Sequence, residues 1–126
     1  MSAVLTILVV DDEFGVAEVL ESILEDEGYR VVTAINGRQG LARFAEGIPN
    51  LVLLDYMMPI MGGAAMLAAM RADPMLAAVP VVMMSSLDEA TVRQECGDAV
   101  GFLRKPFRVE GVIATVRRAL ESETGG

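Results

Sequence analysis

Short apolar runs alternate with amphipathic segments along the chain. Five runs are rich in large apolar residues, and several are continuously apolar, as is typical of parallel strands covered on both faces. We predict strands at residues 4–10, 30–34, 51–54, 79–84 and 101–103. Helical segments lie between and after these runs, so the chain is predicted to repeat a β–α unit about five times.

The first and last helical segments have the clearest apolar stripes. In the first, apolar residues recur at helical spacing, and Gly28 is placed to end the helix. This stripe consists of Val16, Val19, Leu20, Ile23 and Leu24. The last stripe consists of Val109, Val112, Ile113, Val116 and Leu120, with Arg117 and Arg118 near the C-terminus, where positive charge favours the helix dipole. Residues 37–46, 63–71 and 88–96 are further helix candidates, and the last of them has little apolar stripe.

This pattern predicts an α/β fold. Parallel strands joined by right-handed helical crossovers form a doubly wound sheet, here five strands flanked by five helices. The length of 126 residues fits one domain. We assign residues 1–121 to it and expect residues 122–126 to form a flexible tail. The first apolar run is too short to cross a membrane and has no basic segment before it, so we expect neither a signal peptide nor a membrane span.

Charge and missing residue types exclude several kinds of site. The chain has 10 Lys+Arg against 18 Asp+Glu, a net charge of −8, which disfavours direct contact with nucleic acid or acidic membranes. The absence of His excludes a Ser-His-Asp triad, His-ligated zinc and an autophosphorylated His. The single cysteine, Cys96, cannot form an internal disulfide; it is expected to be half-buried and suits a reducing cytoplasm. Of the ten basic residues only Lys105 is a lysine.

Acidic residues follow two of the predicted strands. Asp11 and Asp12 follow the first, and Asp55 follows the third between apolar neighbours. Because ligands of open α/β sheets bind at the carboxyl ends of the strands, these acids converge if the two strands are neighbours. Their repulsion would then be relieved by a hard cation such as Mg²⁺. The alternative for Asp11 and Asp12 is that they only cap the next helix.

A hydroxyl and a cation follow the last two strands. Ser85 follows the fourth, where a serine also commonly begins a turn, and Lys105 follows the fifth, where the alternative is a solvated surface charge. Together with the acids they form a set suited to a phosphoryl group, since metal and ammonium neutralise charge and the hydroxyl bonds an oxygen. A carboxylate can then act as nucleophile and form an aspartyl phosphate.

The ordered motifs resemble the receiver domains of bacterial two-component response regulators, including chemotaxis regulators, over about residues 4–121. They are Val-Asp-Asp-Glu (10–13), Asp-x-x-Met-Pro-x-Met-x-Gly (55–63), Met-Ser-Ser (84–86) and Lys-Pro-Phe (105–107). The resemblance implies a flavodoxin-like strand order 2-1-3-4-5. It also implies a signalling domain that is not an enzyme, beyond assisting its own phosphotransfer and dephosphorylation.

The resemblance assigns a role to each motif residue. Asp55 is implied to be the phosphoacceptor, and Asp12, Asp55 and the backbone carbonyl of Met57 to be Mg²⁺ ligands, with Asp11 acting through water. Lys105 is implied to be the cation that senses the phosphoryl group, and the bond before Pro106 is implied to be cis. The implied switch residues are Ser85 and Phe102.

Four positions depart from the pattern of the family or alter the chemistry that it implies. Gly62 stands where an acid is common, and Phe102, often Tyr in the family, lacks a hydroxyl. Met57 and Leu87 occupy positions that tune the access of water to the acyl phosphate, and apolar side chains do not orient a water.

The implied partners are proteins. A sensor histidine kinase or a histidine phosphotransfer protein is expected to donate the phosphoryl group, and a downstream protein is expected to read the face of the fourth helix, fifth strand and fifth helix. Homodimerisation on phosphorylation stays open, and we expect no nucleic acid or membrane partner. Two alternatives are a pseudo-receiver that binds proteins without phosphorylation and a phosphohydrolase with an Asp nucleophile. A nucleotide site is disfavoured because neither G-x-x-x-x-G-K-S/T nor G-x-G-x-x-G occurs.

Overall fold

The computed structural model describes residues 3–124, with side chains up to Glu121. The strands are β1 (Thr6–Val10), β2 (Arg30–Ala34), β3 (Leu51–Asp55), β4 (Val81–Ser85) and β5 (Gly101–Arg104). The helices are α1 (Phe14–Asp26), α2 (Gly37–Arg43), α3 (Gly63–Ala72), α4 (Glu89–Arg93) and α5 (Val109–Thr124), with a 3₁₀ turn at Phe44–Glu46 after α2. The predicted alternation of strands and helices is confirmed.

The five strands form one parallel sheet in the order β2-β1-β3-β4-β5, as predicted. Strand residues alternate between two cores because successive side chains point to opposite faces. Leu8, Val52 and Met83 pack with residues of α3 and α4, whereas Val9 and Leu53 pack with residues of α1 and α5. Both faces are therefore covered, which explains the continuously apolar strands.

Parallel pairing brings the carboxyl ends of the strands to one edge. Val10 pairs with Leu54, and Asp55 with Met84. Ser85 in turn pairs with Arg104. The last residues of β3 and β4 and the residues directly after β1 and β5 therefore lie next to one another at this edge.

The ends of α1 and α4 follow from local sequence. Gly28 adopts a φ of +93°, a conformation that favours glycine, and its N–H bonds to the Glu25 carbonyl, so it ends α1 as predicted. The segment predicted as a helix over 88–96 is helical only at Glu89–Arg93. Asp88 caps it by accepting from the Thr91 N–H, but with Val92 as its only buried residue the short stripe does not sustain a longer helix.

Five side-chain or boundary expectations need correction. Val109, predicted on the apolar stripe of the last helix, is 51% exposed because it lies at the first position of α5. Val19 is 54% exposed because it lies beside a surface cavity, and Cys96 is fully buried rather than half-buried. Arg117 lies two turns before the end of α5 and pairs with Glu27 at 2.9 Å, so it does not act on the helix terminus. Helix α5 also continues to Thr124 through part of the predicted tail, and residues 125–126 lie outside the described residues.

Among residues 3–124, no helix is both long enough and apolar enough to cross a membrane.

Candidate functional site

Three carboxylates meet at the carboxyl edge of the sheet. One oxygen atom from each of Asp11, Asp12 and Asp55 lies within 4.8 Å of the other two. Asp11 and Asp55 are buried, and Asp12 is exposed. The convergence arises because β1 and β3 are neighbours, and the Asp11 N–H is anchored to the Ala34 carbonyl of β2 at 3.0 Å. The acids predicted to converge do so.

Lys105 joins this cluster from the other side. Its Nζ donates to Asp11 Oδ2 at 2.8 Å and to Glu13 Oε1 at 3.2 Å, and it lies 3.3 Å from Asp55 Oδ1. The Lys105 N–H donates to the Ser85 carbonyl at 2.8 Å, and the Lys105–Pro106 bond is cis, as the resemblance implies. Lys105 is therefore a bound cation of the site and not a solvated surface charge.

The electrostatics of the site follow from burial and from close charges. Burial and the nearby Asp11 raise the pKa of Asp55 to about 7, although Lys105 opposes this shift. Burial alone lowers the pKa of Lys105, but its hydrogen bond to Asp11 and the charge of Asp55 outweigh this and raise it above the ordinary value. The metal-free cluster thus carries more negative charge than one ammonium group compensates.

This donor set fits Mg²⁺. The ion takes oxygen ligands at about 2.0–2.1 Å in an octahedron, so two ligand oxygens on one ion are at most about 4 Å apart. Three carboxylate oxygens within 4.8 Å need only a small movement to share one ion. The uncompensated charge of the cluster favours a cation there. Met57, whose backbone carbonyl is a Mg²⁺ ligand by resemblance, lies on the loop after β3 and is 67% exposed.

The predicted switch residues lie on neighbouring strands. Ser85 is buried, and its hydroxyl oxygen accepts a hydrogen bond from the Leu87 N–H at 3.0 Å. Phe102 is half-buried against the core of α3 and α4, opposite Met83 in the register of β4 and β5. Strand alternation places Ser85 and Phe102 on the same face of the sheet, the side of α4.

A cavity of about 570 Å³ opens beside the cluster. Its polar end contains Asp55, Ser85 and Lys105, and its apolar wall contains Val19 and Phe107. A charged end and an apolar wall suit a phosphoryl group that is presented on a larger molecule.

Two contacts near the site were not anticipated from the sequence. Glu13 is a partner of Lys105, and its place directly after Asp11 and Asp12 was the available signal. The hydroxyl of Tyr56 bonds to Glu95 just beyond α4, and no local sequence pattern indicates a contact between residues so far apart. This hydrogen bond raises the pKa of Tyr56 above its ordinary value.

Comparison with known proteins agrees with this geometry. The sequence profile of the family described as "Response regulator receiver domain" matches residues 7–117, most of the chain. The chain belongs to the response regulator receiver domain family. Receiver domains are parts of two-component signalling proteins, and they generally bind Mg²⁺ in an acidic pocket.

Relatives and solved structures of similar sequence include proteins of different architecture. Protein PilG of Pseudomonas aeruginosa is 32% identical over 123 residues, which cover 95% of this chain and 90% of PilG. The DNA-binding response regulator MtrA of Mycobacterium leprae is 38% identical over 117 residues, which cover 90% of this chain and 50% of MtrA. The structure of the chemotaxis protein CheY4 of Vibrio cholerae superimposes with a TM-score of 0.88 at 31% identity, covering 94% of this chain and all of that one.

The prediction of no nucleic acid partner applies to this domain and not to a longer protein, because several of the relatives are about twice as long as the matched segment. The receiver domain spans about half the length of several of the relatives that it matches, and three of them are named as DNA-binding regulators. The acidic balance of the sequence therefore describes this domain, and the prediction does not extend to a longer protein that contains it.

Proposed function

We propose that this receiver domain accepts a phosphoryl group on Asp55 from a phosphohistidine of another protein. The observation that carries the proposal is the approach of one ammonium, Lys105 Nζ, to both Asp11 and Asp55 within a cluster of three carboxylates. This arrangement supplies a nucleophile and a counter-charge at one point. These 126 residues contain no His, so the phosphohistidine lies outside this domain.

Each group at the site has a part in the transfer. A carboxylate oxygen of Asp55 attacks phosphorus in line, the new O–P bond replaces the P–N bond, and the imidazole remains on the donor. Lys105 Nζ balances the charge that builds up on the phosphoryl oxygens. Mg²⁺, when bound among the three carboxylates, supplies further positive charge against those oxygens. Asp11 and Glu13 hold Lys105 in position through its two hydrogen bonds.

We further propose that the phosphoryl group changes the surface of α4, β5 and α5. Ser85 turns from the Leu87 N–H towards a phosphoryl oxygen, and Phe102 follows into the space on the same face of the sheet. This shifts an existing equilibrium between two arrangements of the α4–β5–α5 surface, and a downstream protein can bind one of them selectively.

The cysteine of the domain fits a cytoplasmic protein. Cys96 is buried and forms no disulfide, as is usual in a reducing compartment.

Asp55→Asn tests the acceptor. The wild-type domain is expected to gain label from a phosphohistidine donor in the presence of Mg²⁺, and the variant is expected to gain none, because an amide is not a nucleophile of comparable strength. Asp26→Asn is the matched control, since Asp26 is an exposed acid of α1 away from the cluster. Undiminished labelling of Asp55→Asn would refute the assignment, and a wild type that binds no Mg²⁺ and takes no label would favour the pseudo-receiver.

The phosphoryl group is expected to be lost slowly by hydrolysis. Met57 and Leu87 lie two residues after Asp55 and Ser85, with exposed fractions of 67% and 38%. Neither side chain can donate a hydrogen bond or accept a strong one, so neither holds a water for attack. Replacing both, as Met57→Gln with Leu87→Asn, should speed the decay of labelled protein several-fold once the donor is removed. Decay of the wild type within seconds, at the same rate in the double variant, would contradict this.

A further inference from the structure

The loop between β3 and α3, residues 56–62, is fastened where it begins and ends. The Gly63 N–H donates to the Tyr56 carbonyl at 2.9 Å. A Cβ on Gly63 would collide with the Asp55 carbonyl and lie 2.9 Å from Tyr56 Cα. The start of α3 therefore packs directly on the backbone that leaves the acceptor, and only glycine permits this approach.

Helix α2 is hydrogen-bonded to the same loop near the loop's C-terminal end. The N–H of Gly37, the first residue of α2, donates to the Met61 carbonyl at 2.9 Å. A Cβ on Gly37 would lie 2.8 Å from that carbonyl oxygen and 2.7 Å from Met61 Cγ. Such distances require the loop to shift, so the absence of a side chain at Gly37 sets how closely the loop approaches α2.

The turn held by this contact is strained. Ile60 has a φ of 69°, which is unfavourable for a β-branched residue, and the Met61 N–H donates to the Pro59 carbonyl at 2.7 Å. These features define a γ-turn of the rarer, positive-φ form. Ile60 is 75% exposed, so its own packing does not maintain the turn. A strained backbone conformation persists only where the surrounding structure imposes it. Here the hydrogen bond from Gly37 holds Met61, the residue directly after Ile60.

The start of the loop lies beside Asp12 of the carboxylate cluster. Residues 56–59 and Asp12 line one shallow cavity of about 470 Å³. Only Ile60 separates this segment from Met61, so a displacement of the Met61 backbone is transmitted towards Asp12. The contact at Gly37 thus bears on the geometry of the site from a different helix.

We propose that Gly37 is a positioning residue for the cation site, acting through the Met61 backbone on the loop after Asp55. The inference rests on the proposed function, because it requires Mg²⁺ to bind among the carboxylates. Gly37 has no side chain and does not belong to the carboxylate cluster. It determines where the loop lies, as residues that orient ligand-bearing segments do in other metal sites.

The test is a Mg²⁺ titration of the metal-free domain followed by amide NMR shifts. Gly37→Ala is expected to weaken Mg²⁺ binding by roughly tenfold, the lower end of the effects seen when support around a ligand is removed. Gly40→Ala is the matched control, because its Cβ would lie 2.8 Å from Met66 Sδ and 3.2 Å from Val10 Cγ2, which are core side chains and not part of the loop. This control should keep the affinity for Mg²⁺ within twofold of the wild type.

A second variant covers the case in which Gly37→Ala does not fold. Met61→Ala combined with Gly37→Ala removes the side-chain collision but leaves the Met61 carbonyl against the new Cβ. The double variant is expected to bind Mg²⁺ several-fold more weakly than Met61→Ala alone. Equal affinities in that pair, or equal losses in Gly37→Ala and Gly40→Ala, would overturn the positioning role. A wild-type domain that binds no Mg²⁺ would instead overturn the proposed function.

Discussion

Replacing Asp55 with asparagine is expected to stabilise the metal-free receiver domain at pH 8 by roughly 2–4 kcal/mol. Asp55 is buried beside Asp11, and its pKa is raised from 3.8 to about 7. At pH 8 the folded wild type must therefore carry a charge that burial and Asp11 both disfavour. Asparagine has nearly the same shape and no charge, although the loss of attraction to Lys105 offsets part of the gain.

The raised pKa of Asp55 makes the stability of the wild type depend on pH. Between about pH 4 and pH 7 the folded protein holds a proton on Asp55 that the unfolded chain has released. Folding is then favoured at the lower pH, and the wild type loses stability as the pH rises through this window. Below pH 4 the carboxyl group is protonated in both states, so the advantage of the variant should be smallest there and largest above pH 7.

Urea unfolding at a series of pH values measures this difference. Asp26→Asn is the control, since this exposed acid should change stability by less than about 0.5 kcal/mol at any pH. Added Mg²⁺ should stabilise the wild type and reduce the advantage of Asp55→Asn. An Asp55→Asn variant that is no more stable than the wild type at pH 8 would show that the cluster is not under electrostatic strain.

Replacing Lys105 with methionine is expected to slow phosphorylation by about 100-fold or more, the usual effect of losing a group that stabilises transition-state charge. Methionine keeps much of the length of the side chain but removes the ammonium that lies 2.8 Å from Asp11 and 3.3 Å from Asp55. The same change should raise the pKa of Asp55 further, because Lys105 is the group that lowers it.

The rate can be measured with phosphoramidate, which carries the same P–N bond as phosphohistidine and needs no partner protein. Arg104→Met is the matched control, because Arg104 precedes Lys105 but is exposed. Its rate should stay within twofold of the wild type. A folded Lys105→Met variant that reacts as fast as Arg104→Met would remove Lys105 from the mechanism.

The sequence predicts the parts of the site that lie at strand ends. Continuous apolar runs indicated a parallel sheet, and a parallel sheet brings residues after its strands to one edge, so Asp11, Asp55 and Lys105 could be placed together. The strand order itself came from the resemblance and is confirmed. Helical periodicity does not show which side of an apolar stripe lies beside a cavity. For this reason it places Val19 in the core, although the structure shows Val19 exposed at the cavity.

Local sequence patterns do not predict contacts between distant segments of the chain. The approach of Gly37 to Met61 depends on how α2 and a loop pack together, and helical spacing carries no such information. The pairing of Arg117 with Glu27 is of the same kind, because it joins the end of α1 to α5. Local sequence therefore indicates the chemistry at this edge, while tertiary packing determines the support around it.

Locating the phosphoryl group within the chain shows whether Asp55 is the acceptor. The wild-type domain is incubated with Mg²⁺ and a phosphohistidine donor, the acyl phosphate is reduced with borohydride, and the modified peptide is sequenced by mass spectrometry. We predict that the reduced residue is Asp55 alone, with no modification in Asp55→Asn. A label on Asp11, Asp12 or Ser85, or an unmodified wild type with a donor that phosphorylates another receiver domain, would rule out Asp55 as the phosphoacceptor.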